Sequence, residues 1–139
     1  MLLVEDNADH LVLTKATLRE HVGIHLHVVS DGQQAIDYLH GIGAFADRAE
    51  HPLPDAVILD IHMPRLSGLG VLQWMKERGL VPRLPVLVWT GVLTENEKAR
   101  ARALGAWGVI EKPANFAILG PVVRDMLRGR RGRRAADAS

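Results

Sequence analysis

Short apolar segments without polar alternation are the feature that most limits how this chain can fold. A strand with one face in water alternates apolar and polar residues, whereas these segments are apolar almost throughout, so both of their faces must be buried. Each has four to six residues and is rich in valine, isoleucine or leucine. The five predicted strands are residues 2–5, 26–29, 56–60, 85–90 and 107–111.

Amphipathic segments fill the intervals between these strands. Their apolar residues recur at spacings of three and four, which is typical of helices that bury one face. Strands that alternate with such helices predict an α/β fold, in which helices cover both faces of a parallel sheet. The five predicted helices are residues 8–21, 32–41, 68–78, 95–104 and 115–128.

Length and composition indicate a single domain. A chain of 139 residues with 47% hydrophobic content suffices for one core but not for two. Cysteine is absent, which excludes disulfides and thiolate metal sites and is compatible with a reducing compartment. The sequence shows neither a basic leader nor the apolar run of ~20 residues that a membrane span needs, so we expect a cytoplasmic protein.

Charge divides the chain into a body and a tail. The last twelve residues hold five arginines and one acid, which leaves 12 basic and 15 acidic residues in the rest. We therefore predict a folded domain at residues 1–128 and a basic, disordered tail at residues 129–139, which is too polar to bury. We do not expect nucleic-acid binding from a weakly acidic body, although the arginine tail leaves contact with DNA open.

Polar side chains follow the predicted strands at the points where these strands end. The carboxyl ends of parallel strands meet at one edge of a sheet, where α/β proteins bind ligands. The residues delivered to that edge are Glu5, Asp6, Asp60, Thr90 and Lys112. This convergence is the strongest functional signal in the sequence.

Three carboxylates at one edge repel one another unless a cation lies among them. Oxygen ligands favour a hard divalent ion, and Mg²⁺ is the natural candidate, with Mn²⁺ or Ca²⁺ as substitutes. One carboxylate can then attack a phosphoryl group, while a lysine and a hydroxyl stabilise the charge on the phosphoryl oxygens. The sequence therefore predicts metal-assisted phosphoryl transfer to an aspartate.

Four segments resemble the signature segments of response-regulator receiver domains, in order and at familiar spacing; they are LLVEDN, VILDIHMPRLSG, VLVWTG and VIEKPA. The resemblance covers residues 1–128 and implies a flavodoxin-like, doubly wound sheet in the strand order 2-1-3-4-5 with five helices. It also implies that Asp60 accepts a phosphoryl group from a sensor histidine kinase. Thr90 would be the switch hydroxyl and Lys112 the partner of the phosphoryl group, with a cis peptide between Lys112 and Pro113.

The same resemblance implies the metal ligands. Mg²⁺ would be held by the carboxylates of Asp6 and Asp60 and by the backbone carbonyl of His62, while Glu5 would act through water. The side chain of His62 follows the acceptor by two residues, and we predict that it influences the lifetime of the acyl phosphate. Self-catalysed phosphorylation and dephosphorylation would be the only chemistry, so we expect a signalling protein and not an enzyme.

The predicted fifth strand departs from the family pattern. Many receivers carry phenylalanine or tyrosine three residues before the lysine, as half of the switch, and this chain has Val109 there. Trp107 lies two residues earlier and could present an aromatic surface instead. We therefore predict a homodimer through the fourth helix, the fifth strand and the fifth helix.

Only eleven residues follow Arg128, so we expect output through binding to a downstream protein and no output domain. A long segment at residues 41–54, which contains Phe45, and the VEDN opening are similar to the small response regulators that pair with phytochrome-type sensor kinases. The sequence leaves open whether the chain is a phosphoryl shuttle, a phosphate sink or a regulator.

Three other interpretations start from the same residues. A phosphatase of the haloacid dehalogenase type also uses an aspartate nucleophile and Mg²⁺, but it usually carries Asp-x-Asp where this chain has His62. A nucleic-acid-tethering receiver would use the arginine tail. A flavodoxin-like cofactor site would need a phosphate-binding loop after the first strand, where acidic residues stand instead.

Overall fold

The computed structural model describes residues 1–19, 24–112 and 116–138, with the backbone alone for residues 130–138. Within these residues, five α-helices flank a five-stranded parallel sheet in the order β2-β1-β3-β4-β5, which confirms the predicted fold class. The strands are β1 (Leu2–Val4), β2 (His27–Val29), β3 (Val57–Leu59), β4 (Val86–Thr90) and β5 (Gly108–Glu111). The helices are α1 (Ala8–Arg19), α2 (Gly32–His40), α3 (Gly68–Glu77), α4 (Glu95–Ala103) and α5 (Leu119–Ala138), with short 3₁₀ helices at Gly43–Phe45 and Phe116–Ile118.

Both faces of the sheet are covered, as the apolar strands predict. Alternate residues of a strand point to opposite faces. In β3, Val57 and Leu59 pack in the layer that contains α2, α3 and α4, while Ile58 packs in the layer that contains α1 and α5. The chain runs from β1 outward to β2 and then crosses to β3 on the other side, so the strand order reverses beside β1. Ligands of such sheets bind at the carboxyl ends of the strands next to this reversal.

Polar side chains cap the N-termini of several helices close to that edge. The Asn7 side chain accepts a hydrogen bond from the backbone N–H of His10 at 3.0 Å in the first turn of α1. Ser67 caps α3, and Thr94 forms a capping box with Glu97 at the start of α4. Such caps satisfy backbone N–H groups that have no partner within the helix. They therefore fix where each loop at the carboxyl edge joins its helix.

The long segment at residues 41–54 packs against the body through Arg48. Its guanidinium group donates hydrogen bonds to the backbone carbonyls of Tyr38 and Leu39, at the end of α2, and of His51 in the loop. The last carbonyls of a helix have no partner within it, and a cation there also suits the helix dipole. One arginine thus joins the end of α2 to the loop that leads to β3.

Helix α5 differs from the sequence expectation. Its backbone continues through residues 129–138, for which the sequence predicts disorder. Extending an existing helix adds a hydrogen bond for each residue fixed, and arginine and alanine favour helices, which offsets the cost of the glycines. That residues 129–139 form a tail separate from the receiver domain stays a prediction.

The predicted cis peptide involves Pro113, which lies outside the described residues. No helix in the described part of the chain has the length and apolar character needed to cross a membrane.

Candidate functional site

The strand ends bring all the predicted site residues to one edge of the sheet. Glu5 and Asp6 follow β1, Asp60 follows β3, Thr90 ends β4, and Lys112 follows β5. Beside them lies an open pocket of about 550 Å³. The residues that line it are Asp6, Asn7, His10, Asp60, His62, Gly91 and Val92.

Both oxygens of the Asp60 carboxylate accept hydrogen bonds. Oδ1 accepts from the Thr90 hydroxyl and from the backbone N–H of His62, each at 2.9 Å. Oδ2 accepts from Nζ of Lys112 at 3.2 Å. The Asp60 residue is 6% exposed, and Thr90 is fully buried. Neighbouring strands therefore fix the orientation of a carboxylate that still reaches the pocket.

Glycine is required beside this carboxylate. A Cβ atom on Gly68, the first residue of α3, would lie 2.3 Å from the backbone oxygen of Asp60 and 2.7 Å from Cα of Ile61. Both distances are below any that real Cβ atoms show, and the neighbours are backbone atoms that cannot move aside. The N–H of Gly68 also donates to the carbonyl of Ile61 at 3.1 Å. The start of α3 thus lies directly against the segment that carries Asp60.

Lys112 is the buried cation of the site, with a side chain that is 3% exposed. Its ammonium group is bonded to the Glu5 carboxylate, to Oδ2 of Asp60 and to Nδ1 of His10, the last at 2.9 Å. Charge-assisted hydrogen bonds of this kind are about twice as strong as those between neutral groups. Lys112 therefore joins the end of β5 to both neighbouring carboxylates.

The two buried carboxyl groups have opposite pKa shifts. Burial, and then the hydrogen bond and charge of Asp60, raise the pKa of Glu5 from 4.5 to about 7, although Lys112 opposes the rise. Burial by itself would raise the pKa of Asp60, but the hydrogen bond with Glu5, the other bonds that it accepts and the charge of Lys112 outweigh burial and lower it. A proton taken up by this pair thus resides on Glu5. Asp60 stays ionised.

Glu5, Asp6 and Asp60 together could hold a metal ion, because one ligand atom from each lies within 4.8 Å of those of the other two. Asp6 is exposed to the pocket, whereas Glu5 is already bonded to Lys112. Carboxylate oxygens in this number suit a hard divalent cation that keeps some of its water. The donor set therefore fits the predicted ion, with Asp6 and Asp60 better placed than Glu5 to bind it directly.

Two contacts of the pocket were not expected from the sequence. His10 faces Lys112 from the first turn of α1, where its position four residues after Asp6 was the available signal, since such a residue lies one turn into the helix. The ring of His62 donates from Nε2 to the carbonyl of Val92 at 2.7 Å and lies 3.2 Å from the Glu97 carboxylate. The loop after β3 is thereby linked to the start of α4.

Val109 lies in β5, and Trp107 lies just before this strand. Val109 is partly buried against the core beneath α4, so the position expected to carry a switch aromatic contributes to packing. Trp107 immediately precedes β5 and is 39% exposed. Tryptophan is enriched in protein interfaces relative to the rest of the surface.

Comparison with known proteins agrees with this geometry. Residues 1–124 match the model of the response regulator receiver domain. The chain belongs to this family. Its members are signalling phosphoacceptors of two-component systems and not conventional enzymes. The receiver is 27% identical over 113 residues to the polar-differentiation response regulator DivK of Brucella anthropi, over 81% of this chain and 83% of DivK.

Two solved structures are informative about phosphorylation and metal binding. The phosphorylated cyanobacterial phytochrome response regulator RcpA is 29% identical to the receiver, with a TM-score of 0.78 over 90% of this chain and 88% of RcpA. The Mn²⁺-bound form of response regulator Rcp1 is 26% identical, with a TM-score of 0.74 over 94% of this chain and 88% of Rcp1. The predicted similarity to phytochrome response regulators is thus confirmed.

Proposed function

We propose that this receiver accepts a phosphoryl group on Asp60 from a sensor histidine kinase, in a reaction that depends on Mg²⁺, and signals through changed protein contacts. The observation that supports the proposal most directly is that hydrogen bonds hold both oxygens of the Asp60 carboxylate. Thr90 and Lys112 bind different oxygens of its carboxylate, and the pocket opens beside it. An ionised, oriented carboxylate next to a buried cation is suited to attack on phosphorus.

In the proposed reaction, an oxygen of Asp60 attacks the phosphorus of a phosphohistidine donor. The P–N bond breaks, its electron pair stays on the donor imidazole, and the new O–P bond forms an acyl phosphate. Lys112 then stabilises the phosphoryl oxygens by charge. The Thr90 hydroxyl, which donates to Asp60 beforehand, turns to a phosphoryl oxygen, and this movement starts the switch.

We propose Asp6, Asp60 and the backbone carbonyl of His62 as the Mg²⁺ ligands, with Glu5 acting through water. When bound, the ion neutralises charge that develops on the phosphoryl oxygens. The bond from Lys112 to Glu5 supports the indirect role of Glu5, because that carboxylate already has a cationic partner. The Mn²⁺-bound Rcp1 supports Mn²⁺ as a substitute, and Ca²⁺ is the second substitute that we propose.

Intact-mass measurement with acetyl phosphate tests the acceptor. We expect the parent to gain one phosphoryl group with Mg²⁺ and none with a chelator, and Asp60→Asn to gain none under either condition. Asp125→Asn, a change in an exposed residue of α5, is the matched control and should behave as the parent does. Phosphorylation of Asp60→Asn would refute the assignment. Turnover of a general phosphate ester by the parent would instead favour the phosphatase interpretation.

The proposed partners follow from the relatives and the surface. RcpA supports a phytochrome-type kinase as the donor. The matches to DivK and RcpA, over most of the length of each, support action as a single-domain regulator that binds a downstream protein. Trp107 and Ile118, 39% and 42% exposed, support a homodimer through α4, β5 and α5. A cytoplasmic location, suited to a chain without cysteine, completes the proposal.

A further inference from the structure

The ammonium group of Lys112 has a partner outside the set of site residues that the sequence predicted. Its Nζ lies 2.9 Å from Nδ1 of His10. An ammonium group carries three N–H donors and no acceptor, and a buried donor without a partner is costly. Glu5 and Asp60 accept two of these donors, and His10 accepts the third.

This contact determines the tautomer of His10. Because Lys112 can only donate, Nδ1 must accept, and the ring proton must lie on Nε2. The acceptor is therefore a neutral group. A carboxylate in its place would add a third negative charge beside the ammonium and compete with a phosphoryl group for it. A neutral imidazole holds the ammonium without that competition.

The imidazole is itself held from two sides. Its backbone N–H donates to the Asn7 side chain at 3.0 Å, which fixes the first turn of α1. Its ring packs against the ring of Phe116, with 6.0 Å between centroids. Oriented groups of this kind favour transition-state contacts because little reorganisation is needed when the reaction occurs.

We propose that His10 is a positioning residue for Lys112, whose ammonium group it holds through Nδ1 so that the lysine can transfer from Asp60 to the incoming phosphoryl group. This inference rests on the proposed function, in which Lys112 stabilises the phosphoryl oxygens. The bond from Lys112 to Asp60 is the longest of its three contacts and is the one that phosphorylation must replace. His10 and Glu5 keep Nζ in place during that exchange.

Two substitutions at residue 10 separate the acceptor from the packing. His10→Leu keeps an apolar group against Phe116 but removes the acceptor, whereas His10→Asn places an oxygen close to where Nδ1 lies. The matched control is His40→Leu, because His40 also packs against an aromatic ring, that of Trp74 at 6.1 Å, on a different helix. Each variant is first shown to unfold cooperatively, and its Mg²⁺ affinity is measured by thermal shift.

The decisive measurement is the rate of phosphorylation by acetyl phosphate and Mg²⁺, followed by intact mass. We expect His10→Leu to be slower than the parent by about tenfold, because the ammonium group loses one of the two contacts that hold it while it moves from Asp60 to the phosphoryl group, and His10→Asn to recover most of the loss. Mg²⁺ affinity should be unchanged in both variants. ¹⁵N NMR of the parent should show the His10 proton on Nε2.

Each other result overturns the inference. A rate for His10→Leu equal to that of the parent leaves the proposed function intact but removes the role of His10. Equal losses in the Leu and Asn variants show that the acceptor is not what matters, and a loss of Mg²⁺ affinity shows that the ring acts on the metal site. A parent that gains no phosphoryl group refutes the proposed function, and the inference fails with it.

Discussion

The raised pKa of Glu5 predicts an unusual dependence of stability on pH. With a pKa of about 7 in the folded chain against an ordinary value of 4.5, the folded protein holds a proton on Glu5 that the unfolded chain has lost between these pH values. This contribution to stability is complete below pH 4.5 and is lost as the pH rises through about 7. Integrated between pH 5 and pH 8, it amounts to about 2 to 3 kcal/mol.

Glu5→Gln removes this dependence while keeping the shape of the site. The amide can still accept from Lys112 and donate to Asp60. Because Glu5 is only 2% exposed, solvent does little to reduce the effect. We therefore expect the free energy of unfolding of the variant, relative to the parent, to rise by about 2 to 3 kcal/mol from pH 5 to pH 8.

Urea unfolding at both pH values, in a chelator, measures this difference. Comparison of the two proteins isolates the part of the pH dependence that residue 5 determines. The pKa of Asp60 lies below its ordinary value of 3.8, so the stability that it contributes is lost only at lower pH. Glu95→Gln, in a side chain that is 89% exposed, is the control. Parallel pH profiles for the parent and Glu5→Gln would refute the reasoning.

Four further predictions concern the metal, the long loop, the surface and the lifetime of the acyl phosphate. Mg²⁺ should raise the melting temperature more at pH 8 than at pH 5, because protons compete for the carboxylates, and Asp6→Asn should remove most of the rise; equal rises at both pH values would contradict this. Arg48→Ala removes hydrogen bonds to three backbone carbonyls, of which that of Tyr38 keeps a bond from the N–H of Gly41, and should lower the free energy of unfolding by about 2 kcal/mol in urea titrations; an unchanged value would show that water replaces the guanidinium. Trp107→Ala should weaken self-association in sedimentation, whereas association equal to that of the parent would exclude this surface. His62→Ala should change the lifetime of the acyl phosphate, followed as loss of phosphoryl mass, and an unchanged lifetime would contradict a role for the ring.

The fold could be predicted because its signals are local. An apolar strand of four to six residues and a helix with apolar spacing of three and four are visible in the sequence, and the alternation of the two permits few topologies. The same logic predicted that the polar residues after the strands meet at one edge, since parallel strands deliver their ends to one side of a sheet. Errors arose at element ends, where β1 stops at Val4 rather than Glu5 and α5 continues beyond residue 128. The ends of helices and strands depend on competing hydrogen bonds, which cannot be inferred from the spacing of apolar residues.

The contacts made by His10 and His62 could not be predicted in this way. Each joins residues from different elements, His10 to Lys112 across 102 positions of the chain and His62 to Val92 across 30. Whether a ring reaches a partner depends on helix position and rotamer, which composition and spacing leave undetermined. The histidines therefore showed no motif, although two of them line the pocket.

The pKa shifts of Glu5 and Asp60 and the fit of a divalent ion are related through the net charge of the site. Three carboxylates and one buried ammonium group leave two negative charges when Glu5 is ionised. Without a metal ion, this charge falls by one unit when Glu5 takes up a proton, which burial first and then Asp60 favour by raising the pKa of Glu5, whereas hydrogen bonds and Lys112 lower the pKa of Asp60. A divalent ion would cancel the same two charges and make the proton unnecessary. A proton on Glu5 and a bound divalent ion would thus both reduce the negative charge of one cluster, the proton by one unit and the ion by two.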